Sequence, residues 1–172
     1  METLPHTSIV FMQTRIYLVE DNPFLLEWLT QALEDLTHAR VIGSAATEAE
    51  ASDWLTVHQD SWDIAVVDLW LAQGNGLQVI KCVRKTPTQK IIILTNYVTK
   101  EMCKSCLTSG ADAFFDKSTE IEEFTSYVIH AALQNAHGLN RMHTEETSRS
   151  EPGAAAETAQ NSSLAPPQES AK

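Results

Sequence analysis

Five side chains able to act on a charged ligand stand at the ends of short apolar runs. Glu20 and Asp21 follow Ile16–Val19, Asp68 follows Ile64–Val67, Thr95 follows Ile91–Leu94, and Lys117 comes just after Ala113–Phe115. Three carboxylates brought together repel one another, and a hard divalent cation relieves that repulsion. Mg²⁺ commonly takes one or two protein carboxylates and completes its shell with water and phosphate oxygens. A metal beside a carboxylate, a lysine and a threonine hydroxyl suits phosphoryl transfer. Metal and ammonium neutralise charge on the moving group, and the hydroxyl donates to one of its oxygens. The carboxylate can itself be the nucleophile, giving an aspartyl phosphate. Asp68, a single Asp at the end of a buried central run, is the candidate acceptor. Glu20 and Asp21, at the end of a neighbouring run, are the candidate metal ligands.

For these groups to meet, the elements between them must form a parallel sheet. Ile16–Val19, Val41–Ile42, Ile64–Val67, Ile91–Leu94 and Ala113–Phe115 read as buried strands, since they lack polar alternation. Amphipathic stretches separate them. Asn22-Pro23 opens the first helix as N-cap and first-turn residue, with Leu26, Leu29, Leu33 and Leu36 down one face. Thr47 and Glu50 suggest a capping box for a second helix through His58, with Ala51, Trp54 and Leu55 inward. A loop with Gly74 and Gly76 leads to a helix bearing Leu77, Ile80 and Val83. The fourth helix, over residues 99–109, can end at Gly110. Thr119 and Glu122 suggest another capping box before a last helix lined by Ile121, Phe124, Val128 and Ala132. Five βα units imply an α/β fold, a five-stranded parallel doubly wound sheet of flavodoxin-like order 2-1-3-4-5. Ligands of such sheets bind beyond the carboxyl ends of the strands, where strands one and three diverge.

The 172 residues carry 12 basic and 23 acidic side chains, a net charge of −11, which argues against DNA or an anionic membrane as partner. No apolar run approaches the ~18 residues needed to span a bilayer, and the first residues lack the basic region of a signal peptide. Cys82, Cys103 and Cys106 make no disulfide framework, so a reducing, cytoplasmic setting is expected. The expected organisation is an N-terminal extension over 1–13, a folded domain over 14–136, and a disordered tail over 137–172. The tail is rich in Ala, Pro, Ser, Gln and Glu, and too polar to build an output domain. Met12 is a candidate start.

Taken in order, Leu18-Val19-Glu20-Asp21-Asn22, Val66-Val67-Asp68-Leu69 with Gly76, Ile93-Leu94-Thr95, Gly110-Ala111-Asp112, and Phe114 with Lys117 resemble the receiver domain of two-component response regulators. The resemblance spans residues 14–135. It implies transfer of phosphate to Asp68 from a sensor histidine kinase or histidine phosphotransfer protein. Mg²⁺ would be held by Asp21, Asp68 and the backbone carbonyl of Trp70, with Glu20 orienting a metal-bound water. Thr95 and Phe114 would be the switch pair, altering the face made by helix four, strand five and helix five. Output would pass to an as yet unknown downstream protein, and catalysis would extend no further than the protein's own phosphorylation and dephosphorylation. Three positions depart from the family's pattern. Ser118 stands where Pro with a cis bond before it is usual, a bond that would cost about 2.5–4 kcal/mol before Ser. Ala72 replaces a common Pro, and Asn96 replaces a small residue.

Trp70 and Tyr97 each lie two residues past a site residue, Asp68 and Thr95, so both rings are expected to flank the phosphoryl group and slow its hydrolysis. Plainer roles suit other residues. Cys103 and Cys106 inside a helix read as packing, His130 as helix surface, and Trp28, Trp54 and Trp62 as packing. Two rival readings are a degenerate receiver-fold adaptor not regulated by phosphate and a phosphohydrolase with an Asp nucleophile. The second commonly wants an acid where Trp70 stands.

Overall fold

The computed structural model describes residues 13–37 and 39–148. Five strands alternate with five helices: β1 Arg15–Val19, α1 Pro23–Thr37, β2 Arg40–Ala45, α2 Glu48–Val57, β3 Ile64–Val67, α3 Gly76–Cys82, β4 Lys90–Thr95, α4 Lys100–Thr108, β5 Ala113–Asp116 and α5 Ile121–Ser148. All pairings are parallel and the order is β2-β1-β3-β4-β5. The sheet is therefore the doubly wound one expected.

Because successive side chains on a strand point to opposite faces, each central strand supplies two cores. Tyr17, Val19, Ala65, Val67, Ile91 and Ile93 pack against Ala51 and Leu55 of α2, Val79 and Ile80 of α3, and Cys106 of α4. Ile16, Leu18, Ile64, Val66, Ile92 and Leu94 pack against Leu29 and Leu33 of α1 and Phe124, Val128 and Ala131 of α5. This burial on both sides is why the strands read as unbroken apolar runs. Each fully buried aliphatic side chain contributes about 1.5–3 kcal/mol, which fixes the register that brings the strand ends level.

Two helix starts follow the capping chemistry read from the sequence: Asn22 Oδ1 accepts from the amides of Phe24 and Leu25, and Thr47 Oγ1 from Glu50. A third cap, not read from the sequence, is Thr99, whose Oγ1 accepts from the Met102 amide. Gly110, at φ +117°, follows α4. The expected Thr119–Glu122 box does not form. Asp116 instead accepts from the Ser118 amide, and Glu120 reaches back to the Asp116 amide. These local bonds delay the helix to Ile121. Two apolar residues of α1 also differ from expectation: Leu36 is 55% and Trp28 49% exposed. The buried stripe of α1 is Leu29 and Leu33, and it does not extend to Leu36. Trp62 is buried as expected, and Trp54 stacks on Tyr17. Cys106 is buried, Cys103 is partly buried and His130 lies on the helix surface. Helix α5 runs past residue 136, the boundary expected from composition, to Ser148. The extension through Met12, including the candidate start, and the tail from 149 onward lie outside the described residues. No helix among the described residues is long and apolar enough to cross a membrane.

Candidate functional site

The carboxyl ends of β1, β3, β4 and β5 meet at one rim of the sheet. Glu20 and Asp68 leave β1 and β3 side by side, since the Asp68 amide donates to the Val19 carbonyl at 2.9 Å. Carboxylate oxygens of Glu20, Asp21 and Asp68 all lie within 4.8 Å of one another. Lys117 reaches in from the end of β5. Its Nζ is 2.6 Å from Glu20 Oε2 and 2.6 Å from Asp68 Oδ2. All three side chains of that ion-paired set are under a tenth exposed. Breaking a buried charge pair by deleting one partner typically costs about 3–5 kcal/mol, so these groups are held as a unit.

Backbone donors complete the arrangement. Glu20 Oε1 accepts from the Asn22 amide at 3.1 Å, and Asp68 Oδ1 accepts from the Trp70 amide at 3.2 Å. Asp21 Oδ2 accepts from the Ala72 amide at 2.8 Å. That last bond gives a physical role to one departure from the family's pattern, because a proline at 72 has no N–H to give. The charge count is unbalanced: three carboxylates face one ammonium. Hard oxygen donors in excess of positive charge are what a divalent cation such as Mg²⁺ takes, so the residues present fit that ion.

Thr95 is fully buried at the end of β4, and its Oγ1 has no hydrogen-bond partner among the described residues. An unsatisfied buried hydroxyl costs about 1–3 kcal/mol, so its persistence points to a partner that arrives with a ligand. Phe114 is paired with Ile93 in the β4–β5 register and packs, partly buried, against the same core as Ile93. Thr95, two residues beyond Ile93, shares that sheet face with Phe114. Trp70 and Tyr97 are 49% and 66% exposed, and their rings meet edge to face at a centroid distance of 5.6 Å.

Two supporting features draw the loop after β3 into place. Gly76 approaches the backbone so closely that a Cβ there would lie 2.1 Å from the Asp68 carbonyl oxygen. Glu48, at the start of α2, accepts from the Asn75 amide at 2.8 Å and donates its own amide to the Gln73 carbonyl at 3.0 Å. Its side chain fills the space beside Gly74, whose φ is +91°. Glu48 was not singled out from the sequence. Its partner lies 27 positions away, and an acidic residue in a first helical turn is ordinary.

The response regulator receiver domain model matches residues 16–129. The virulence transcriptional regulatory protein PhoP of Salmonella typhimurium is 34% identical over 110 residues, covering 63% of this chain and 47% of that protein. A cyclic di-GMP phosphodiesterase of Thermotoga maritima is 27% identical over 117 residues, covering 67% of this chain and 30% of that protein. The chain thus matches half or less of the length of these curated relatives. The signal receiver domain of the putative response regulator NarL from Mycobacterium tuberculosis superposes with a TM-score of 0.59 at 23% identity, covering 73% of this chain and 98% of that one. The response regulator domain of Thermotoga maritima CheB gives 0.60 at 18% identity, with 73% and 98% coverage. At these identities the superpositions speak to the fold.

Proposed function

The chain belongs to the response regulator receiver domain family, a family of signalling domains, and from that premise we propose that Asp68 is its phosphoacceptor. The observation that carries the reading is the convergence at one rim of Glu20, Asp21 and Asp68, with Lys117 2.6 Å from two of them. A carboxylate oxygen of Asp68 attacks the phosphorus of a phosphohistidine on a sensor kinase or phosphotransfer protein. The bond from phosphorus to the histidine nitrogen breaks, and the imidazole leaves with its electron pair. Lys117 then exchanges its carboxylate partners for a phosphoryl oxygen, a charge-assisted bond. The Thr95 hydroxyl, without a partner among the described residues, donates to another phosphoryl oxygen. Asp21, Asp68 and the Trp70 carbonyl would hold Mg²⁺, with Glu20 as an outer partner acting through a water. When bound, the ion neutralises charge that builds on the phosphoryl oxygens during transfer.

Thr95 and Phe114 form the switch. As the Thr95 side chain moves toward the phosphoryl group, space opens beside Phe114 on the shared sheet face, and the ring turns inward. This alters the surface of α4, β5 and α5, through which a downstream protein is engaged. In this reading the chain acts in the cytoplasm and signals by protein contacts, without itself binding DNA or membrane. Its excess of acidic side chains supports the last point.

Incubation with Mg²⁺ and acetyl phosphate, followed by intact mass measurement, tests the reading. The expected result is a gain of one phosphoryl group that is absent in Asp68→Ala and prevented by chelation. No gain in the wild-type protein would favour an adaptor that keeps the fold without the chemistry.

A further inference from the structure

Lys117 is a long, flexible side chain on a turn, yet both of its carboxylate contacts are 2.6 Å and its side chain is only 7% exposed. The turn that carries it is closed by hydrogen bonds centred on Asp116, the last residue of β5. Asp116 Oδ1 accepts from the Ser118 amide at 2.7 Å and from the Ser118 hydroxyl at 2.5 Å. The Asp116 amide donates to Glu120 Oε2 at 2.8 Å, and its carbonyl accepts from the Glu120 amide at 2.9 Å. Between these bonds the Lys117 amide donates to the Thr95 carbonyl at 2.9 Å. The backbone of Lys117 is therefore clamped on both sides and tied to the strand end that carries Thr95.

We propose that Asp116, acting through Ser118 and Glu120, is a positioning residue that aims Lys117 into the carboxylate cluster. Asp116 touches none of the reacting groups; its role is to remove the freedom of the turn. A tightly held turn limits the arc through which Nζ can move and ties that arc to the position of Thr95. The ammonium and the hydroxyl then converge on one point without further ordering. The carboxylate of Asp116 suits this task because it accepts two bonds at one oxygen, which hold the 116–118 segment in a side-chain-closed turn. That its carboxyl is held below its ordinary value, first by the Ser118 hydroxyl bond, agrees with this geometry.

The catalytic consequence rests on the phosphoacceptor reading above, but the positioning itself does not, and two measurements separate them. In the first, the protein without phosphodonor is amidinated with methyl acetimidate, and modification of Lys117 is compared with that of exposed Lys100 by peptide mass. Asp116→Ala should raise the Lys117-to-Lys100 ratio by about 10-fold, as local opening exposes the ammonium. Ser118→Ala, which keeps the amide donor, should give a smaller rise. Asp116→Asn, whose side-chain oxygen still accepts both bonds, should restore the wild-type ratio. In the second, acetyl phosphate loading is timed at saturating Mg²⁺. Displacing a positioned group by about 1 Å can cost about 100-fold, so Asp116→Ala should load at least about 10-fold more slowly, with rescue by Asn. A wild-type Lys117 ratio in both Asp116→Ala and Ser118→Ala would overturn the proposal, as would failure of Asp116→Asn to rescue. A wild-type protein that takes no phosphate but shows the expected ratios would sink the phosphoacceptor reading alone.

Discussion

If Trp70 and Tyr97 flank the phosphoryl group as expected from their spacing, the aromatic pair should slow the loss of phosphate by a measurable factor. Trp70 is tied to the site by the hydrogen bond its backbone N–H donates to Asp68 Oδ1, and Tyr97 follows Thr95 by two residues. Their rings touch edge to face at 5.6 Å. Hydrolysis needs a water in line with the bond from Asp68 to phosphorus, and the two rings are expected to obstruct its approach. If the pair must part first, the cost is that of an aromatic contact, about 0.5–1.5 kcal/mol. One factor of ten in rate corresponds to about 1.36 kcal/mol, so removing the pair should speed phosphate loss about 2- to 10-fold. The assay loads protein with acetyl phosphate in Mg²⁺, removes the donor by rapid desalting, and follows the phosphorylated fraction by intact mass. Trp70→Asn and Tyr97→Glu should each reach most of the rate of the double variant, because either one abolishes the contact. Both side chains are substantially exposed, so folding stability should move by no more than about 0.5 kcal/mol. Equal phosphate lifetimes in wild type and double variant would refute the argument. Strictly additive single effects would replace a gate by simple crowding.

Further outcomes follow from the same geometry. Gly76→Ala places a methyl group where the Asp68 carbonyl stands, and overpacking of this kind costs about 1–3 kcal/mol; denaturant unfolding should show that loss together with slower loading, and an unchanged midpoint would contradict it. Asp21→Asn removes one negative charge from the cluster and should weaken Mg²⁺ binding at least about 10-fold, as loss of a charged ligand generally does; a Mg²⁺ titration of loading rate reads this directly, and an unshifted curve would remove Asp21 from the metal site. Burial pushes the Cys106 thiol from 9.0 up to about 11, and the Tyr17 hydroxyl from 10.0 up to about 12. The unfolded chain releases those protons first, so stability is intact below pH 9 and falls as pH rises through 9–11 for the thiol and 10–12 for the phenol. The slope should be about 1.4 kcal/mol per pH unit for each group. Urea unfolding at pH 8, 9.5 and 10.5 measures it, and Cys106→Ala should flatten the first part of the fall.

Strand ends and turns differ in how openly the sequence displays them. Ile64–Val67 and Ile91–Leu94 are legible because burial on both faces demands apolar residues at every position, and that demand is local. Once the strands are placed, the parallel sheet dictates that Glu20, Asp68, Thr95 and Lys117 share a rim. The site could therefore be assembled from position alone. The caps at Asn22, Thr47 and Thr99 were open to the same reasoning, since each bond spans two or three residues. The start of α5 was not, because local bonds by Asp116 and Glu120 hold the preceding turn in another arrangement than a Thr119 cap, and residue types do not say which arrangement wins. Nor was the exposure of Trp28 and Leu36, since helical spacing shows which residues share a face but not where the sheet beneath ends.

The two departures from proline share one explanation. At 72 and at 118 the chain has an amide N–H where the family's pattern commonly has none. Each is donated to an aspartate of the site or of the turn that carries Lys117: Ala72 to Asp21 at 2.8 Å and Ser118 to Asp116 at 2.7 Å. Proline stiffens a turn by fixing φ, at the cost of that donor. Here stiffness comes from hydrogen bonds that involve the aspartates themselves, so turn rigidity and carboxylate orientation are set together. The Ala72 bond engages Asp21 Oδ2, on a carboxylate that has an oxygen within 4.8 Å of oxygens of Glu20 and Asp68. Restoring proline at 72 should therefore leave the fold standing and loosen Asp21, lowering Mg²⁺ affinity while the unfolding midpoint stays nearly unchanged. A Mg²⁺ titration of Ala72→Pro that overlays the wild-type curve would mean the amide bond does not hold Asp21 for the metal. The departure at 72 would then be without consequence.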